Sequence, residues 1–349
     1  MTVTTSVRFN LVQPPGPPEA SRTPGGPESP GAPGGPQESL GDRYRAALDM
    51  AAYADEHGVT SLVVEEHHGS PDGWLPAPLA LAGALLGRTR RAVVTACAIL
   101  APLYDPLRLA EDIAVLDLAS GGRLITVAGV GYRPEEYAAL GRDFTQRGAL
   151  QDEVLETLLA AWTGEPFDYR GRKVRVTPRP HTRPHPMLFV GGSSRPSARR
   201  AARLGLPLFL PAHLPALARY YEERCQESGS DPLCLMPPER LPALHLTEDP
   251  ERAWTELGAY FLYEARQYAS WQTADVRSLM RAEATTVEEL REEGVYAFLT
   301  PDECVEMVSR QPEGARQLLL HPLCGGMPVE EGWRSLRLLA EDVIPRLPG

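Results

Sequence analysis

Short apolar runs alternate along this chain with longer stretches in which apolar residues recur every three or four positions. The runs at 7–12, 61–65, 92–99, 123–128, 187–190, 207–210, 241–246 and 317–321 predict eight strands, and their continuous apolar character suits strands buried on both faces. The periodic stretches at 42–57, 76–87, 106–118, 147–162, 196–204, 214–227, 250–271, 301–310 and 330–345 predict helices, several opening on Pro or Asp and closing near Gly. Eight strand–helix units predict an α/β fold, a (β/α)8 TIM barrel. A doubly wound open sheet is the rival, weakened because no G-x-G-x-x-G follows the first run. Residues 167–176, around Arg170-Gly171, read as a small hairpin inserted before strand five. Residues 14–41, rich in Pro, Gly, Ser, Ala and Glu, interrupt the first strand-to-helix connection as a Pro/Gly-rich insert and read as a mobile loop within a single domain spanning 1–349.

Composition changes this picture little. The chain has 349 residues, 43% of them apolar, and carries a net charge of −11 without a dense Lys/Arg run, so a nucleic acid partner is not expected. Residues 1–12 are too short an apolar patch for a signal-peptide core or a membrane span, so a cytoplasmic protein is expected. Five scattered cysteines with no C-x-x-C spacing give neither a disulfide framework nor a zinc site, and no metal is expected.

Ionisable residues gather where strands give way to loops, the place where parallel α/β folds keep their chemistry. Glu65-Glu66-His67-His68 closes the second run. An imidazole beside a carboxylate suits proton transfer near neutrality, and Glu66 is the expected orienter of His67. A shared metal is disfavoured, because adjacent side chains on an extended segment point to opposite faces. Val190-Gly191-Gly192-Ser193-Ser194 ends the fifth run and opens a helix containing Ser197, which places backbone N–H groups, hydroxyls and a helix N-terminus together as a phosphate cradle, although the same residues also make plain turns. Gly129-Val130-Gly131-Tyr132-Arg133 after the fourth run either admits a flat ligand against bare backbone or is a turn into a short helix. His321, closing the eighth run, either faces the pocket or caps its strand.

The Glu-His-His cluster, the stretches Pro106-Leu107-Arg108-Leu109-Ala110-Glu111-Asp112 and Leu116-Asp117-Leu118-Ala119-Ser120-Gly121-Gly122-Arg123, and Thr300-Pro301-Asp302-Glu303-Cys304 together resemble the bacterial luciferase-like monooxygenase family over nearly the whole chain. The resemblance implies a (β/α)8 barrel holding reduced FMN, or the deazaflavin coenzyme F-420, at the carboxyl ends of its strands. It implies His67 as the catalytic histidine. It places Gly191, Gly192, Ser193, Ser194 and Ser197 at the flavin phosphate, and Cys97-Ala98 where relatives often have a non-proline cis peptide near the flavin ring. Val130 and Gly129 stand where luciferase has an Arg and a reactive Cys, so Arg133 or backbone donors would take over the phosphate. Glu-His-His in place of Asp-His-Phe favours FMN over the deazaflavin.

The function expected from the resemblance is a monooxygenase in which reduced FMN, delivered by a separate flavin reductase, and oxygen oxidise an organic small molecule through a C4a-peroxide. His68, Trp74, Tyr104, Tyr132 and His321 are the expected substrate-pocket residues. The alternatives are an F-420-dependent hydride-transfer oxidoreductase and a non-catalytic flavin-binding protein. A homodimer is also implied, with the helices after strands two and three, the first of them apolar on nearly every face over 77–86, at the interface.

Overall fold

The structure, a computed structural model, describes residues 3–13, 38–273, 276 and 278–348. Most of the expected 14–41 insert therefore lies outside the described residues. Its end is seen as Ser39, which caps α1 (Leu40–Glu56) by a reciprocal pair of bonds with Asp42.

All eight predicted strands form: β1 (Thr4–Phe9), β2 (Ser61–Val64), β3 (Val93–Leu100), β4 (Leu124–Gly129), β7 (Met187–Gly191), β8 (Leu208–Phe209), β10 (Ala243–Leu246) and β12 (Gln317–Leu320). The predicted hairpin is β5 (Phe167–Tyr169) against β6 (Arg172–Val174). Two short strands were not foreseen, β9 (Cys234–Leu235) and β11 (Tyr296–Leu299), and they end a ten-stranded sheet of order β11-β10-β12-β1-β2-β3-β4-β7-β8-β9. Every pairing in that sheet is parallel. Helices alternate with the strands: α2 (Pro78–Arg88), α3 (Pro106–Ser120), α5 (Arg147–Trp162), α6 (Arg195–Leu204), α7 (Pro215–Ser228), α8 (Pro250–Trp271), α10 (Pro301–Ser309) and α11 (Val329–Leu338). The short helix α4 (Pro134–Ala139) is the one that the turn reading of Gly129–Arg133 leads into, whereas α9 (Val287–Glu293) carried too little apolar periodicity to be foreseen.

The first strand begins at Thr4, earlier than predicted, and it ends earlier too, Leu11 taking a left-handed backbone, φ 57°, that leaves Leu11 and Val12 buried as loop. The motifs that carried the family resemblance turn out to be largely architectural. Asp105 caps α3, its carboxylate accepting from the N–H groups of Leu107 and Arg108, and Gly121 in the left-handed region ends the helix. Arg123 then ties β4 to the last turn of α2 and the loop before β3 through four bonds, to Leu86 O, Thr89 O, Thr89 Oγ1 and Ala92 O. Thr300 and Glu303 form a capping box at the start of α10.

Because β12, β1, β2, β3, β4 and β7 are consecutive parallel neighbours, their carboxyl ends share one side of the molecule. The main apolar cluster lies between the strands and α1, α2, α3, α5, α6 and α7, with α10 and α11. A second, smaller cluster, built on Trp254, Leu257 and Phe261 of α8 with Tyr296 and Phe298 of β11, anchors α8.

Candidate active site

Beyond Val64 the chain runs extended, so Glu65 and His67 face one way and Glu66 and His68 the other. This alternation decides the pairing. His67 is 7% exposed, with Nδ1 3.3 Å from Glu136 Oε1 and Nε2 3.5 Å from the Tyr132 hydroxyl. Glu66 instead serves His68, whose Nε2 lies 2.8 Å from Glu66 Oε1. The expectation that Glu66 orients His67 is therefore corrected, the orienting carboxylate being Glu136 of α4. The sequence signal for it, an acidic pair in the first turn after Pro134, was present but looked like an ordinary helix start.

Glu136 Oε1 gathers three donors or imidazole contacts: His67 Nδ1, the His68 backbone N–H at 2.9 Å and Arg133 Nη1 at 3.0 Å. Burial alone would raise the Glu136 pKa, but the bond to His67 and the neighbouring positive charge outweigh it and hold the group below the ordinary carboxylate value. Glu66 is equally enclosed, accepting from the Leu100 N–H at 2.7 Å and the Tyr104 hydroxyl at 3.0 Å. Its hydrogen bond to His68 raises the pKa of that imidazole. Tyr104, expected to wall the pocket, is a mostly buried donor to Glu66, its own pKa pushed up by burial and by the Glu66 charge.

Aromatic rings close around His67. Ring-centre distances are 4.6 Å to Trp271, 5.6 Å to Trp74, 5.9 Å to Tyr132 and 6.0 Å to Tyr268. Trp74 and Tyr132 were expected here. Tyr268 and Trp271 were not, since nothing in the periodicity of α8 says that its last turn reaches a loop some two hundred residues earlier in the chain. Tyr263 of the same helix donates to Asp72 at 3.1 Å, which helps to fix the loop that carries Trp74 against α8.

The expected cofactor wall lies on the next strands. The Cys97-Ala98 peptide is cis, in a non-proline bond, and a Cβ on Gly129 would come within 3.0 Å of Ala98 Cβ. Gly131, at φ 69°, turns the chain away beside Leu100. Ala98 and Val130 are partly exposed on either side of the buried Gly129, so small side chains and backbone make up this stretch. Cys97 is half-buried, and desolvation together with the Glu65 charge pushes its thiol up to about 12. One strand further, Gly191 lets β7 approach β4, since a Cβ there would meet Val127 Cγ1 at 2.9 Å. A Cβ on Gly192 would meet Ser197 Oγ at 2.5 Å. Ser194 and Ser197 close the start of α6 on each other, hydroxyl to hydroxyl at 3.1 Å, with Ser193 before them. A wall of backbone and small side chains followed by amides and hydroxyls at a helix N-terminus is a donor set that fits a flat ring with a phosphate tail.

His321 does not reach this place. It is fully buried, its Nε2 3.0 Å from Glu264 Oε1, and Glu264 also accepts from the Gly325 N–H at 2.7 Å and faces Arg8 Nη1 at 3.5 Å. Arg8 is paired in turn with Glu65 at 2.8 Å. Burial opposes the charge on Glu264, yet His321 and Arg8 hold its pKa well below the ordinary value. The expectation of a pocket role for His321 is corrected: an imidazole with no accessible surface, held by a buried carboxylate, is part of the core.

A family model described as luciferase-like monooxygenase matches residues 22–312. The chain is 33% identical over 120 residues to an FMNH(2)-dependent dimethylsulfone monooxygenase of Pseudomonas putida, covering 32% of this chain and 33% of that protein. It is 30% identical over 141 residues to an F420-dependent glucose-6-phosphate dehydrogenase of Nocardia farcinica, covering 38% and 42%. The chain spans about half or less of the length of the curated relatives it matches. Among solved structures, the monooxygenase RslO1 from Streptomyces bottropensis superposes with a TM-score of 0.74 at 25% identity, covering 98% of this chain and 99% of that one. Among the described residues no helix is long and apolar enough to cross a membrane.

Proposed function

This chain belongs to the luciferase-like monooxygenase family, a family of oxidoreductases, and we propose that it is the oxygenase of a two-component system, using reduced FMN from a separate reductase and oxygen to oxidise a small organic molecule. The observation that carries the reading is His67: nearly buried, braced by Glu136, ringed by aromatic side chains, and at the same strand ends as the Ala98–Gly129–Val130 wall and the Ser193–Ser194 elbow. When bound, reduced FMN supplies the electrons that activate oxygen. The chain's own part is positioning and proton handling. The elbow at the start of α6 holds the phosphate, and the wall of small side chains and backbone lets the flat ring lie against it. The aromatic side chains exclude water from the reaction. His67 moves a proton at Nε2 while Glu136 fixes Nδ1 and the ring orientation. Two copies pair through α2 and α3, where Val115 and Leu118 are exposed at 51% and 43%.

The deazaflavin reading has the dehydrogenase relative in its favour. Anaerobic titration with reduced FMN and with the reduced deazaflavin, followed by oxygen uptake in the presence of a flavin reductase, separates the readings. We expect FMN binding, with oxygen uptake above that of the reductase alone when an organic substrate is present. Product formed from the deazaflavin without oxygen uptake would overturn the proposal, and FMN binding that never supports substrate-dependent uptake would leave a binding protein.

A further inference from the structure

The aromatic group around His67 has two origins. His67, Trp74 and Arg133 are built into the loops after β2 and β4. The His67 N–H donates to Leu75 O at 3.0 Å, the Leu75 N–H to Asn10 O at 3.0 Å, and the Trp74 N–H to Asp72 Oδ1 at 3.2 Å. Arg133 is fixed by its bonds to Glu136 Oε1 and His68 O, both 3.0 Å. Trp271 is the last residue of α8, held from a different part of the chain. Its ring nonetheless sits inside the box that the other three make: 4.4 Å under the Arg133 guanidinium, 4.6 Å from the His67 ring and 4.9 Å from Trp74 in an edge-on contact. A cation over one face, with a tilted imidazole and an edge-on indole beside it, forms a receptor for a flat, electron-rich, uncharged ring. Trp74 is 1% exposed, and its Nε1 is a buried donor without an acceptor, a group that an oxygen on an incoming ring would satisfy.

We propose that Trp271 is an internal stand-in for the substrate: a flat aromatic substrate bearing a carbonyl or hydroxyl oxygen displaces the indole, and the last turn of α8 swings outward to admit it. This rests on the reading of His67 as the group that serves the reaction. None of the hydrogen bonds that hold Arg133, His67 and Trp74 involves Trp271, so these walls survive the exchange, while the contacts that Tyr268 of the same turn makes with His67, Trp74 and Tyr132 are given up. While the indole is seated, His67 is shielded from water and from the wrong ligands, and the site opens only to a ring that recovers the contacts Trp271 gives up.

Coumarin, a flat uncharged ring with a carbonyl oxygen, and 2-decalone, a saturated two-ring ketone, are the probes, with calorimetry as the readout. Trp271→Ala is expected to bind coumarin roughly tenfold tighter than the wild type, with little gain for decalone, and Arg133→Ala in that background to lose roughly fivefold. In the wild type, saturating coumarin is expected to lower hydrogen-exchange protection across 266–272, an effect that a merely structural tryptophan would not give. If Trp271→Ala does not fold, Trp271→Leu carries the same comparison. No gain in coumarin affinity, or coumarin bound to the wild type with that turn still fully protected, would overturn the proposal. So would competition between coumarin and reduced FMN accompanied by tighter FMN binding in the variant, since the flavin and not the substrate would then own the box. Failure of both proteins to bind reduced FMN would defeat the flavin reading and leave the coumarin result standing.

Discussion

Two imidazole–carboxylate pairs of nearly the same chemistry sit in this molecule with different roles. His321 and Glu264 have side chains with no solvent exposure, share a carboxylate with Arg8 and the Gly325 N–H, and balance one another inside the core. The His67 side chain keeps 9% exposure, has a carboxylate on one ring nitrogen and turns the other toward Tyr132 in an aromatic recess. Both follow a strand, and what separates them is access, since a pair with no exposed surface serves the fold and one that keeps some can serve a reaction.

The comparison breaks hardest at Glu264. Glu264→Gln removes the more deeply buried of the two carboxylates around Arg8, Glu65 remaining, and leaves the His321 imidazole and the Gly325 N–H facing a neutral amide, and a stability loss of about 3 kcal/mol is expected in denaturant unfolding. A loss under about 1 kcal/mol would mean that the core pair is slack. At the other pair the damage falls on turnover: His67→Ala is expected to lower it by about a hundredfold with reduced-FMN affinity kept, and Glu136→Gln by about tenfold with a displaced pH profile. Unchanged turnover in His67→Ala would remove it from the mechanism.

The smallest effect belongs to His68. Its folded pKa is raised by Glu66, so the stability it contributes is fully present below the unfolded value near 6.5 and is lost as pH rises through the higher folded value. Glu66→Gln is expected to bring the His68 titration in nuclear magnetic resonance back toward 6.5 and to flatten the decline of Tm above that pH. A titration that stays high would mean that Glu136 governs both imidazoles.

Much of the frame was legible in the residues. The spans predicted for α5 and α8 are the observed ones; α8 opens on an Asp249 cap followed by Pro250, whereas α5 starts without a side-chain cap. The Glu-His-His cluster and the Gly-Ser elbow fell at strand ends because strand ends are where buried runs stop. Alternation along the extended 65–68 segment was used to reject a shared metal, yet it equally implies that Glu66 faces His68 and not His67. That consequence was available in the sequence.

Local pattern determined which segments are strands and helices, in what order, and which strand ends carry imidazoles, hydroxyls and bare glycines, since these follow from side-chain periodicity and backbone freedom within a few residues. Partnership was decided only in three dimensions. Glu136 with His67, Glu264 with His321 and Trp271 beneath Arg133 are separated by 69, 57 and 138 positions. No short-range rule reaches that far, and packing alone selects which of several buried carboxylates and rings will meet a given imidazole.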